Sequence, residues 1–182
     1  WFVDLQMSEN VQRSLQQVRQ SKSNEQLLRA MEHLQLHQER KLEKKMYVEI
    51  MTCLNKIGKP YAAMSWFQSA QKHGVHLDVW MYTCAITACT RSRDACGACQ
   101  LLRDMHANGV PANTITYNTA ITACEKGRQW QRALQLLEDM RDKGIPADTI
   151  TYSAAISACE KGVQWRRALH LIEDMRGKGV PA

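Results

Sequence analysis

Apolar residues along this chain recur at helical rather than strand spacing. Tyr117, Ala120, Ile121 and Cys124 fall at i, i+3, i+4 and i+7, which places them on one helix face. A second face follows at Trp130, Ala133, Leu134, Leu137 and Met140. Gly127 separates the two runs and predicts a break in the helix there. Gly144 then stands where a helix end favours a left-handed residue, and Pro146 blocks continuation. No stretch alternates with period two between hairpin turns, so no strand is predicted.

The whole pattern repeats. Residues 114–147 and 149–182 are identical at 25 of 34 positions, with an offset of 35. A weaker copy over 79–113 keeps Tyr82, Ile86, Ala88, Cys89, Ala98, Met105, Gly109 and Pro111. A fainter one over 44–78 is marked by Tyr47, Gly58, Ala63 and Gly74. One helix pair alone cannot bury two apolar faces, whereas stacked pairs share a continuous core. The predicted fold class is therefore all-α, an α-solenoid of stacked antiparallel helix pairs. The array is predicted over 44–182, with units 44–78, 79–113, 114–148 and a truncated 149–182. The small residues Ala88, Ala123 and Ala158 are expected to let neighbouring helices approach closely.

Residues 1–43 read as a divergent helix pair or cap. Val11, Leu15 and Val18 suggest one helix, and Leu27, Ala30, Met31 and Leu34 another, with Ser23 and Gln26 as its capping box. The chain opens on Trp1 rather than Met and stops at Ala182, one residue short of a full repeat. Both ends suggest a segment of a longer array.

Composition narrows the chemistry. The net charge of +6 is a mild lean toward polyanions. There is no apolar run of membrane-spanning length and no signal-peptide pattern. The seven cysteines are odd in number, which argues against a disulfide framework and for a reducing compartment. Cys89, Cys124 and Cys159 recur on the apolar face and are expected in the core. Cys96 and Cys99 form a lone CxxC without two further ligands nearby, so they are expected to be ordinary helix residues. His33 with His37, and His73 with His76, lack the carboxylate of a metal motif and read as surface. No P-loop, dinucleotide-binding glycine set or Ser/His/Asp set is visible. No cofactor, metal, small-molecule substrate or catalysis is expected.

The other face of each first helix carries a second repeat. Ile115, Asn118, Thr122 and Lys126 share a stripe, matched by Ile150, Ser153, Ser157 and Lys161. Upstream the stripe is Trp80, Thr83, Thr87 and Arg91, and before that Lys45, Val48, Thr52 and Lys56. The last position is basic in every copy: Lys56, Arg91, Lys126 and Lys161. Stacking would align cations for phosphates, apolar or aromatic groups for bases, and small polar groups for base edges. The plainer reading is that a basic residue at a helix C-terminus simply complements the helix dipole.

Thr116-Tyr117-Asn118, Lys126-Gly127, Ala133-Leu134, Met140 and Gly144 before Pro146, at a period of 35, resemble the pentatricopeptide-repeat motif. The Trp/Leu-Gly/Tyr signature of the tetratricopeptide repeat is absent. The resemblance covers about 44–182 and is strong from Val79 onward; the repeat style is similar to arrays of algal protists such as dinoflagellates. It implies one RNA base per repeat. The base is chosen by a polar residue early in the first helix together with the last residue of the repeat. Carried onto this chain, the pairs are Thr83 with Asn113 for adenine, and Asn118 with Asp148 for uracil and then cytosine. Ser153 suggests a purine. Trp80, Ile115 and Ile150 would pack against the bases, and Lys56, Arg91, Lys126 and Lys161 would meet phosphates. In the 44–78 unit Val48 pairs with Asp78 and Lys45 replaces the apolar residue, so no base is assigned there.

The function expected from this resemblance is sequence-selective binding of single-stranded RNA in a mitochondrion or plastid, in transcript processing, stability, editing or translation. Other organellar RNA-processing proteins are the candidate protein partners, and no membrane is expected among the partners. Two other readings compete: a peptide-binding scaffold of the tetratricopeptide kind, and a structural part of a ribonucleoprotein.

Overall fold

The computed structural model describes residues 13–14, 16–17 and 42–181. The helix pair expected over 1–43, with His33 and His37, lies almost wholly outside the described residues. Residues 42–181 form eight helices, and no strand occurs among the described residues. They are α1 (Lys44–Lys56), α2 (Pro60–Lys72), α3 (Val79–Ser92), α4 (Ala95–Ala107), α5 (Thr114–Lys126), α6 (Trp130–Asp142), α7 (Thr149–Lys161) and α8 (Trp165–Gly177). The chain divides into two compact units, Trp1–His76 and Leu77–Ala182.

In the first unit α1 packs on α2. Pro60 opens α2 at a position where its missing N–H costs nothing. Tyr47, Ile50, Met51, Leu54, Trp66 and Phe67 are buried. Tyr47 meets the Trp66 ring edge-on, with centroids 5.8 Å apart. Its hydroxyl lies 2.9 Å from His73 Nδ1. His73, expected at the surface, is therefore half-buried: the buried phenol needs a polar partner and this ring supplies it. His76 is exposed.

The second unit is three helix pairs. The first helices form one layer, α3 against α5 and α5 against α7. The second helices lie on that layer, α4 over α3 and α5, α6 over α5 and α7, and α8 over α7. Because α6 serves two first helices, its buried arc comprises Ala133, Leu136, Leu137 and Met140. Leu136 is thus in the core and Leu134 only half-buried, a wider face than the spacing predicts. The recurring alanines Ala88, Ala123 and Ala158 are fully buried. So are Tyr82, Tyr117 and Tyr152, each reaching from a first helix to the last turn of its own second helix. There Asn108 donates to Tyr82 at 2.9 Å, Tyr117 donates to Asp139 at 2.5 Å, and Tyr152 donates to Asp174 at 2.8 Å.

The turn between α5 and α6 differs from the expectation. Gly127 has φ −80°, and the left-handed residue is the next one, Arg128 at φ +56°. Arg93, Val163 and Gly58 hold the same conformation in the other pairs. Glycine is needed at Gly127 for closeness instead: an added Cβ would lie 3.0 Å from Arg93 O and from Ala95 Cβ. At Gly162 it would lie 2.3 Å from Trp130 Cδ1. Trp130 is held between Gly162 and the Arg167 guanidinium, 4.6 Å from the ring centroid. At the turns between pairs, by contrast, Gly109, Gly144 and Gly179 have φ +69°, +65° and +67°, where only glycine avoids strain.

Candidate nucleic-acid interface

Each first helix of the second unit begins with a side-chain cap. Asp78, Asn113 and Asp148 accept from the backbone N–H of Met81 (3.0 Å), Thr116 (3.0 Å) and Thr151 (2.9 Å). The last residue of a repeat is therefore the N-cap of the next repeat. Its Asn or Asp identity has a folding reason before any ligand is considered.

Immediately beside the caps stand large apolar side chains in water. Trp80, Ile115 and Ile150 are 71%, 65% and 61% exposed. They sit one helical residue past the N-terminus of α3, α5 and α7, in one register. No described residue covers them, unlike the tyrosines two residues further on.

The polar residues of the stripe are less open than the spacing suggests. Asn118 is only 8% exposed, because α5 is flanked by α3 and α7 as well as by second helices. Its Nδ2 donates to both oxygens of Asp148, at 3.0 and 3.2 Å. The amide orientation follows from this contact, since its oxygen would repel the carboxylate. The two residues paired for uracil are thus in direct contact. Burial works to raise the Asp148 pKa. Hydrogen bonds from the Thr151 backbone N–H and from Asn118 outweigh it and hold the carboxyl below its ordinary value. Thr83 and Asn113 meet through a third side chain: Thr116 Oγ1 donates to Asn113 Oδ1 at 2.9 Å and lies 3.3 Å from Thr83 Oγ1. The Thr83 hydroxyl also bonds the Val79 carbonyl at 2.7 Å, which uses its proton and leaves it an acceptor. Ser153 is exposed.

The basic residues end the first helices. Arg91 lies in the last turn of α3, and Lys126 and Lys161 close α5 and α7. Lys161 is not free: Nζ lies 2.5 Å from Glu125 Oε1, which also accepts from Ser157 at 3.1 Å. The residue one repeat before Glu125 is Thr90, so Lys126 has no such partner. Lys56 closes α1 in the other unit. Spacing alone missed the Glu125 pairing, and it missed Thr116 and Thr151, which join the polar pairs from the following repeat. Their recurrence in Thr114–Thr116 and Thr149–Thr151 was the available signal.

Cysteine and carboxylate chemistry offers little else here. Cys96 is exposed, while Cys99 is buried with its Sγ 3.8 Å from Cys124 Sγ. No group of three or more His, Cys, Asp or Glu able to hold a metal occurs among the described residues.

Comparison with known proteins gives a consistent assignment. Family profiles described as "PPR repeat family", "Pentatricopeptide repeat domain" and "PPR repeat" match residues 112–161, 65–126 and 150–180. Comparison with curated protein sequences finds no match. Among solved structures, nuclear proteinaceous RNase P 2 from A. thaliana aligns with a TM-score of 0.68 and 12% identity, over 78% of this chain and 32% of that one. The pentatricopeptide repeat protein PPR10, solved in complex with an 18-nt psaJ RNA element, aligns with a TM-score of 0.70 and 18% identity, over 94% and 28%. The PPR domain of Arabidopsis thaliana protein-only RNase P 1, solved in complex with tRNA, aligns with a TM-score of 0.63 and 19% identity, over 73% and 70%. The chain thus spans about a third of the length of the first two. With repeats matched over residues 65–180 and the same helical solenoid, this chain belongs to the pentatricopeptide-repeat family.

Proposed function

We propose that the first-helix layer of this chain binds single-stranded RNA, one base per repeat. The observation that carries the reading is the row of Trp80, Ile115 and Ile150, large apolar groups left in water beside capped polar pairs. A buried core has no use for them, whereas a base has an apolar face and a polar edge that fit this combination. Thr83 with Asn113 then selects adenine, Asn118 with Asp148 selects uracil, and Ser153 favours a purine. Arg91, Lys126 and Lys161 meet phosphates, with Lys56 as the counterpart in the first unit. The RNA-bound state of two structural neighbours supports the choice of ligand. Family membership supports an organellar setting, mitochondrion or plastid, in transcript processing, stability, editing or translation, with other RNA-processing proteins as partners. The segment itself acts as a binding module and supplies no catalytic group.

Fluorescence anisotropy tests this with short RNAs that carry or lack an adenine-uracil-purine core, beside single-stranded DNA and duplex RNA. Salt-sensitive preference for the matched single strand is expected. Asn118→Thr, with Asp148 retained, is expected to move the preference at that base from uracil toward guanine. A folded protein that binds no RNA at low salt would point to a peptide-binding scaffold instead.

A further inference from the structure

Around Asn118 a third residue joins the pair assigned to base selection. Thr151 is fully buried at the start of α7. Its Oγ1 accepts from the Asp148 backbone N–H at 3.0 Å and lies 2.5 Å from Asn118 Oδ1 and 2.9 Å from Asp148 Oδ1. A hydroxyl has one proton to give. The carboxylate already accepts from the Thr151 N–H and from Asn118 Nδ2, and Asn118 Oδ1 is the nearer acceptor. The Asn118 amide is then pinned at both ends, its oxygen by Thr151 and its nitrogen by Asp148. What remains for a ligand is the second Nδ2 hydrogen and one oxygen lone pair, pointing in set directions.

One repeat earlier a related arrangement surrounds different selecting residues. Thr116, also fully buried, gives its one proton to Asn113 Oδ1 and packs its hydroxyl 3.3 Å from Thr83 Oγ1, so it holds Asn113 by a hydrogen bond and Thr83 by contact. The equivalent residue in α3 is Met81, which has no hydroxyl. Capping alone does not require the link, since Asp78 caps α3 through the Met81 backbone N–H.

We propose that Thr151 and Thr116 are positioning residues for base discrimination, each orienting the selecting pair of the repeat before its own. Selectivity at one base is then set by three side chains drawn from two repeats. The inference rests on the RNA reading above and adds that the orientation, not only the identity, of the pair is built by the following helix.

The test uses the full chain, with Thr151→Val, Thr151→Ser and Thr116→Val checked for folding by circular dichroism. Anisotropy compares all four bases at the position opposite Asn118 and Asp148, and separately at the position opposite Thr83 and Asn113. Losing one hydrogen bond of ordinary net strength predicts a discrimination ratio roughly three- to tenfold lower in Thr151→Val at the first position only. Thr116→Val is expected to act at the second position only, and Thr151→Ser to keep the wild-type ratio. Folded Val variants with unchanged ratios, or with a uniform loss of affinity at both positions, overturn the proposal while leaving RNA binding intact. Failure of the wild-type protein to bind any RNA instead overturns the parent reading and this inference with it.

Discussion

At the scale of single residues, Val163 and Gly162 show two opposite demands on one turn. Val163 is β-branched at φ +57°, a conformation that L residues adopt at a cost of about 1–2 kcal/mol. Gly58 stands at the corresponding place in the first unit with φ +77°. Val163→Gly is therefore expected to raise stability by about 1 kcal/mol, after allowing for glycine's greater freedom when unfolded, as a higher urea midpoint. Gly162→Ala is expected to do the reverse, costing roughly 1–3 kcal/mol, because the methyl group would displace Trp130 from its place under Arg167. Glu125 carries a residue-scale prediction about binding. Glu125→Gln removes the partner of Lys161, so affinity for a single strand is expected to rise in anisotropy titrations. Unchanged affinity would mean that Lys161 does not meet the ligand.

At the scale of the helices, three of the joints in the second unit are carboxylates. Asp148 caps α7, while Asp139 and Asp174 accept from Tyr117 and Tyr152, which cross the last two pairs. In all three, burial works to raise the pKa and is outweighed. Lys143 and Tyr117 lower Asp139; Tyr152, Arg141 and Lys178 lower Asp174; Thr151 and Asn118 lower Asp148. A carboxyl held below its unfolded value stabilises fully above that value, 3.8 here. The contribution fades as pH falls through the lower folded value. The share of stability that these carboxylates contribute to the second unit is therefore expected to hold down to about pH 4 and to fade below, after an earlier decline from His106, whose pKa burial pushes below its ordinary value. Urea midpoints across that range check this, and Asp174→Asn is expected to flatten the decline. A flat wild-type profile down to pH 2 would show that these joints do not respond to protonation.

At the scale of the molecule, the second unit is a layer of first helices with its sockets on one register, so binding should scale with the number of repeats engaged. Three cations, Arg91, Lys126 and Lys161, end its first helices. Three phosphates neutralised on a single strand predict a slope of log K against log salt of about −2. Lys126→Ala, which breaks no ion pair among the described residues, is expected to reduce the slope by about 0.7 and to weaken all sequences alike. A variant that instead altered base preference would place Lys126 at a base rather than at the backbone.

Much of this architecture was legible in the chain by itself. The period of 35, the alternation of two amphipathic faces and the Gly-Pro endings determined the class of fold, because a helix pair with two apolar faces has to stack. The register of Trp80, Ile115 and Ile150 was equally plain, since only helical geometry was needed to put them together. Three-dimensional packing decided what one-dimensional spacing leaves open. A stripe on an isolated helix faces water, yet Asn118 is buried because a neighbouring helix closes over it. The breaks after α5 and α7 looked like glycine's freedom and turned out to need glycine's small size, since the atoms that most crowd a Cβ at Gly127 and Gly162 come from residues 32 or more positions away. The likeness of Lys126 and Lys161 hid a difference in charge pairing that depends on Glu125 lying one repeat back. Contacts within a helix follow from spacing along the chain, whereas contacts between repeats exist only once the helices are stacked.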